Sequence, residues 1–442
     1  MQVLNDEMFA ILVLMALFTT FITTPMVMAI YKPARGVRIA AHRKLGDLSG
    51  SKVSKDALRI LACVHGPSNV TSLISLIEAS RSNKKSLLKL FIMHLVELTE
   101  RSSSIIMVQR VRRNGFPFFN RFRRGAWHDR VSGAFQAYSQ LGRVSVRPTT
   151  AVSPLATMHE DICHVAEAKR VTMIVLPFHK QWRVDGDGGE AVENVGHGWR
   201  VVNQKVLKHA PCSVAVLVDR GFGGGGAHSV RPNGGTAQHV CILFFSGPDD
   251  REALELGGRM AEHPAVKVTV ARFAEREGLD GAQVILQPSP SKCRDKSYSF
   301  SVASMDRQRE KELDDEAIAE FRGRWDAMAE YREIIGSNIV DEVLAVGQGR
   351  EFDLVVVGKG RFPSALVAGL ADRPAEHAEL GPVGDILASS NNGILTSVLV
   401  IQQHYLPDAE ETPMTMTKVA PDGLDRLKEG SSSSPDMQND LV

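Results

Sequence analysis

The sequence predicts an α/β protein: two tandem doubly wound, mostly parallel-sheet domains preceded by one transmembrane helix. Three observations carry that expectation. Short apolar runs rich in β-branched residues alternate with amphipathic stretches. The series then repeats further along the chain, and residues 8–31 carry no charged side chain at all.

That uncharged run, MFAILVLMALFTTFITTPMVMAIY, lies between Asp6 and Glu7 on one side and Lys32, Arg35, Arg38, Arg43 and Lys44 on the other. At about 1.5 Å per residue it reaches roughly 35 Å, enough to cross a hydrocarbon core of about 30 Å. The basic exit side places residues 32–442 in the cytosol. A signal peptide fits poorly, because the leading residues are acidic and no small-x-small site closes the run. A buried soluble helix is the remaining alternative. Thr19, Thr20, Thr23 and Thr24 form one stripe on this helix. They either face other helices or bond back to their own i−4 carbonyls. With the kink expected at Pro25, the stripe suggests the last helix of a bundle.

The first domain is expected over residues 55–220. LRILACVH, LKLFIMHLVEL, VSVRPTTAV, TMIVLPF and SVAVLVD read as strands, with helical stretches such as MHEDICHVAEAKRV and WRVVNQKVLKHAP between them. The second, 236–405, repeats it. Gly247-Pro248 follows Gly66-Pro67 by 181 residues, LVVVGKG follows IVLPFHK at the same offset, and TSVLVIQ echoes CSVAVLV. A glycine-rich linker, 221–235, joins the copies, and the Pro-, Ser- and acid-rich tail 406–442 is expected to be disordered. Polar insertions are expected near 100–128 and 288–312.

Composition narrows the function. Net charge is +1, which argues against a nucleic-acid partner for the whole chain. Five scattered cysteines without a CxxC pair suit a reduced compartment and no cysteine-rich zinc module. GxSxG, Walker and HExxH motifs are all lacking, so an enzyme is not expected. The run 8–31 contains no carboxylate, which a proton-coupled cation exchanger needs at membrane depth.

Three local patterns remain. Gly358 and Gly360 follow an apolar strand, and Gly384 lies near the start of the next helix. Such glycines admit a nucleotide phosphate, or serve turn shape alone. His159, Cys163 and His164 invite a zinc reading, but an amphipathic helix explains them better, so no metal is expected. Arg110, Arg112, Arg113, Arg121, Arg123 and Arg124 interleave with phenylalanines. That segment suits an anionic membrane surface or RNA, with a solvated insertion as the competing reading.

Several of these segments carry a resemblance: LNDEMFAILVLMALFTTFITTPMVMAIYKPAR, LRILACVHGPSNVTSLISLIEASR, VAEAKRVTMIVLPFHKQW, VVNQKVLKHAPCSVAVLVDRG and FDLVVVGKG. Over about residues 4–404 the chain resembles the C-terminal end of the plant cation/proton exchanger (CHX) family, of the monovalent cation:proton antiporter-2 group. The resemblance implies that 8–31 is the last helix of an antiporter domain, so the remaining helices of that domain are partners. It implies two universal-stress-protein-like domains in a regulatory cytosolic tail, and a second copy of the chain as a further partner. It also implies exchange of potassium or another monovalent cation for protons, in the endomembrane system or plasma membrane, with a role in pH homeostasis. The transport aspartates of that family have no counterpart here. The nucleotide motif of stress proteins is degraded too, since Asp385 stands where Ser or Thr would follow Gly384, and no cofactor is expected. A freestanding, membrane-tethered regulator without transport activity is the alternative.

Overall fold

The first strand shows why the sheet forms where it does. In β1 (Leu58–Val64), Ile60, Ala62 and Val64 enter one hydrophobic cluster while Leu61 and Cys63 enter another. The period of two sends successive side chains to opposite faces, and both faces are covered. The computed structural model describes residues 9–11, 13–19, 21–22, 45, 58–66, 68–81, 88–99, 128–142, 144–184, 190–194, 196–223, 237–274, 296–335, 338–360 and 375–404. All of them fall within one compact unit, Met1–His404.

After β1 come α1 (Val70–Ala79), β2 (Leu88–Glu97), α2 (His128–Gly142), β3 (Ser145–Ser153), α3 (Met158–Ala168) and β4 (Met173–Pro177). A two-stranded antiparallel hairpin follows, β5 (Lys180–Val184) with β6 (Glu190–Asn194), then α4 (His197–His209) and β7 (Ser213–Val218). The second series runs β8 (Gln238–Phe244), α5 (Pro248–Ala261), β9 (Val266–Phe273), α6 (Lys296–Trp325), β10 (Ala329–Ile334), α7 (Ile339–Gln348), β11 (Leu354–Gly358), α8 (Gly381–Ala388) and β12 (Ser397–Gln402).

Ten of these strands make one sheet, ordered β10-β9-β8-β11-β12-β7-β4-β1-β2-β3. Read from either edge inward the sequence of crossovers is the same, and every pairing within a half is parallel. The halves meet where β12 pairs antiparallel with β7, Leu399 opposite Leu217 and Val400 opposite Val216. Residues of α1, α2, α5 and α6 pack on one face, and residues of α3, α4, α7 and α8 on the other. The expected doubly wound, mostly parallel α/β architecture is therefore present.

The structure differs from the expectation at particular elements. Part of the polar insertion expected at 288–312 belongs to α6, whose Ile318, Phe321 and Trp325 are buried at i, i+3 and i+7. Its charged N-terminal two-thirds hid that short apolar stripe. The β5–β6 hairpin is not among the expected elements, and β9, β10 and α7 are implied by the repeat without their residues being singled out. In the uncharged run, residues 9–11, 13–19 and 21–22 are helical, and Phe9, Leu14, Phe18 and Phe21 are exposed. No helix among the described residues is long and apolar enough to cross a membrane, and much of 8–31 lies outside them. Thr19 bonds back to the carbonyls of Met15 and Ala16, each at 3.0 Å. Pro25, the other three threonines, the tail and most of the linker lie outside the described residues.

Candidate functional site at the seam of the two halves

Where β4 ends, Pro177, Phe178 and His179 lead straight into β5, and Asn203 of α4 donates to the Pro177 carbonyl at 2.9 Å. This turn faces the stretch 375–380, which leads into α8 of the other half. Its backbone is held by Asp385, whose carboxylate accepts the N–H groups of Glu376 (3.2 Å) and His377 (2.6 Å). The two turns together bury His179, His377 and Glu379, each less than 7% exposed. Arg200 of α4 donates Nε and Nη2 to Glu379 Oε2 at 3.1 and 2.9 Å, and Lys180 pairs with Glu376 at 2.6 Å. These are charge-assisted contacts, the stronger kind.

The other carboxylate oxygen, Glu379 Oε1, has no hydrogen bond among the described residues. It faces His179 Nδ1 at 3.8 Å and His377 Nδ1 at 3.9 Å. The imidazoles meet edge-on at 5.2 Å, and the Phe178 ring stands against the His377 ring at 5.0 Å. Burial lowers the pKa of His179 to about 4, outweighing the opposing pull of Glu379, and burial also lowers that of His377. Both rings are therefore neutral at physiological pH. Lys180, through its hydrogen bond, lowers the pKa of Glu376. Two neutral imidazoles and a carboxylate facing one another supply lone pairs, a set suited to a cation rather than to acyl or phosphoryl transfer.

The seam has further ties. Arg220, just past β7, donates to the carbonyls of Thr396 (3.0 Å) and Leu387 (2.9 Å) and stacks on Trp182 at 4.3 Å. Glu252 of α5 accepts from the Ser213 hydroxyl (2.6 Å), the Leu45 N–H (3.1 Å) and Gln403 Nε2 (3.2 Å).

The glycines proposed for nucleotide contact have structural duties. A Cβ on Gly358 would lie 2.6 Å from Asp250 N and 2.7 Å from the Asp249 carbonyl carbon. A Cβ on Gly384 would press Val400 at 2.9 Å, and Gly360 occupies a left-handed φ of 70°. The N-terminus of α5, where a phosphate would be sought, is filled by the chain's own acids. Asp250 accepts from Phe245 N, Ser246 N and Gly358 N at 2.8–2.9 Å, and Asp314 of α6 accepts from Gly247 N and Ser246 Oγ. Asp385 is likewise spent on backbone.

His159 lies near His209, 5.7 Å between rings, and burial pushes the Cys163 thiol up to about 11. Among the described residues the trio His179, His377 and Glu379 is the one group placed to share a metal ion, its ligand atoms within 4.8 Å of one another. Sequence reasoning missed it. The only signal was a histidine at each of two turns 198 residues apart, with no spacing motif to join them. Arg110, Arg112, Arg113, Arg121, Arg123 and Arg124 lie outside the described residues.

Family profiles match the two halves separately: residues 90–222 match the plant cation/H(+) antiporter domain, and residues 237–402 the plant cation/H(+) antiporter C-terminal domain. Cation/H(+) antiporter 20 of Arabidopsis thaliana is 61% identical over 430 residues, covering 95% of this chain and 50% of that protein. The chain belongs to the plant cation/H(+) antiporter family. Cation/H(+) antiporter 19 of the same plant is 44% identical, covering 93% of this chain and 48% of its own length. The chain thus spans about half the length of these curated antiporters. Among solved structures, a universal stress protein from Archaeoglobus fulgidus aligns with a TM-score of 0.36 at 10% identity, over 79% of this chain and 97% of that one. That likeness is too slight to bear on function, and the fold rests on the strand order.

Proposed function

We propose that this chain is the C-terminal regulatory region of a monovalent cation/proton antiporter, exchanging potassium for protons in potassium transport and pH homeostasis. The observation that carries the reading is the match to relatives named cation/H(+) antiporters across 95% of this chain but only half of theirs. The lack of any carboxylate in 8–31 fits a portion that does not itself carry the transport chemistry. In this reading 8–31 crosses an endomembrane or the plasma membrane beside the other helices of the transport domain. Residues 55–220 and 236–405 are tandem universal-stress-protein-like units joined by 221–235, and the whole assembles as a homodimer. The arginine-rich segment 110–124 rests on the anionic cytosolic leaflet. Gly358, Gly360 and Gly384 are remnants of a nucleotide site whose anion position is now taken by Asp250 and Asp314.

An immunoblot of native membranes with an antibody to the 406–442 tail tests this. A band well above 48.3 kDa is expected. Proteoliposomes holding only the 442-residue chain should show no potassium/proton exchange. A single native band near 48 kDa would replace the reading with that of a tethered regulator, and exchange by the short chain would overturn the assignment of 8–31.

A further inference from the structure

We propose that His179, His377 and Glu379 form a site for a borderline divalent transition metal of the zinc class, which cross-links the two halves of the sheet. The inference is independent of the transport reading. It starts from unmet bonding: His179 Nδ1, His377 Nδ1 and Glu379 Oε1 are all buried and lack a hydrogen-bond partner among the described residues. Buried polar atoms are nearly always paired, so three orphans converging on one point need a reason. A shared cation supplies one, because these atoms are lone-pair donors when the imidazole protons sit on Nε2.

The surroundings fit the same assignment. Arg200 and Gln204 engage Glu379 Oε2, leaving Oε1 aimed at the rings. His377 Nε2 is likewise buried without a hydrogen-bond partner among the described residues, and the nearest carboxylate oxygen, Glu376 Oε1, stands 3.4 Å away, close enough for a small rotation to let it orient a ligating imidazole. Glu376 is in turn anchored by Lys180, and the His377 backbone by Asp385. Metal–nitrogen bonds of about 2.0 Å hold tetrahedral ligands roughly 3.3 Å apart, so binding requires the ligand atoms, now within 4.8 Å of one another, to draw together by up to about 1.5 Å. Two imidazoles and one carboxylate select zinc-class ions over magnesium or calcium, which prefer all-oxygen shells. The absence of sulfur argues against copper(I).

The two histidines come from different halves, so a bound ion ties the β4–β5 turn to the segment before α8. Binding would stabilise the seam in proportion to the logarithm of metal concentration.

The test uses the full 442-residue chain, purified in detergent with a histidine-free tag and stripped of metal. Co2+ should give one equivalent with the visible absorption of a low-symmetry, four- or five-coordinate site, displaced by Zn2+. Zn2+ should raise the unfolding midpoint. His179→Gln and His377→Gln should each weaken Zn2+ binding by at least tenfold, while His263→Gln, far along the chain, leaves it unchanged. Equal binding by wild type and both site variants, or no binding by wild type, overturns the proposal. X-ray absorption of the wild-type zinc complex needs no variant: scattering from two imidazoles supports the site, and its absence sinks it.

Discussion

Replacing Gly358 by alanine separates a packing role from a nucleotide-binding one. Gly358 ends β11 and touches the first turn of α5, where the added methyl would sit 2.6 Å from Asp250 N and 2.7 Å from the Asp249 carbonyl carbon. The methyl also meets Asp250 Oδ1, but two of its three nearest neighbours are backbone, so relief requires the helix start to retreat by about 0.8 Å from the strand. Overpacking of this kind costs about 1–3 kcal/mol. The retreat also stretches the 2.9 Å bond from Gly358 N to Asp250 Oδ1, at about 1 kcal/mol more. A loss of about 2–4 kcal/mol follows, read as a lower denaturant midpoint or a fall in melting temperature of roughly 5–15 °C. Burial raises the Asp250 pKa to about 7, so the measurement belongs near pH 8, where the carboxylate accepts all three N–H groups. Gly393→Ala is the control. It has a left-handed φ of 61° but open space around it, so only about 1 kcal/mol of backbone strain is expected. Titration with ATP should give no binding for wild type or variant. If Gly358→Ala kept full stability but abolished nucleotide binding, the packing argument would be wrong.

Two other outcomes are expected. His65 is half-buried, its ring nitrogens enclosed against Trp199 with ring centroids 4.8 Å apart, and this desolvation lowers its pKa to about 4 from 6.5. The unfolded chain therefore binds the extra proton first, so stability is whole above pH 6.5 and is lost as pH falls toward 4, by about 3 kcal/mol. His65→Phe should flatten that part of the stability–pH curve, and an unchanged slope would show that other groups cause it. Expressed separately, residues 55–220 and 236–405 should each fold, yet each leaves a seam strand, β7 or β12, with an unpaired edge. Light scattering should find self-association alone and a one-to-one complex when mixed; two inert monomers would mean the seam is not a binding edge.

How much the sequence disclosed depended on whether a signal was local. β1, β4, β7, β8, β11 and β12 announce themselves as continuous apolar runs, because a parallel strand buried on both faces needs no polar positions. The edge strand β10, AEYREI, has three exposed residues and reads as ordinary polar chain. Helix α6 hid because its buried stripe of Ile318, Phe321 and Trp325 is short and barely registers against its charges. The repeat was visible through its Gly-Pro turns and strand triplets, while the antiparallel β7–β12 junction was not, since nothing in either strand names its partner. The same holds for the seam site. Gly358 and Gly384 could be picked out beside their strands, but His179 and His377 become neighbours only after ten strands have closed into one sheet.

The seam also explains why Leu45 matters although it precedes the first strand. Leu45 is fully buried, and its N–H donates to Glu252. The same carboxylate holds Ser213 at the start of β7 and Gln403 just after β12. One buried acid thus ties Leu45 to both strands of the junction. Removing the acceptor from two buried donors, the Leu45 N–H and the Ser213 hydroxyl, carries a larger penalty than the bonds themselves contribute. Leu45 and the seam therefore cannot loosen independently. A change in how β7 meets β12, whether from a bound ion at His179 and His377 or from strain in either half, reaches Leu45 through a single side chain.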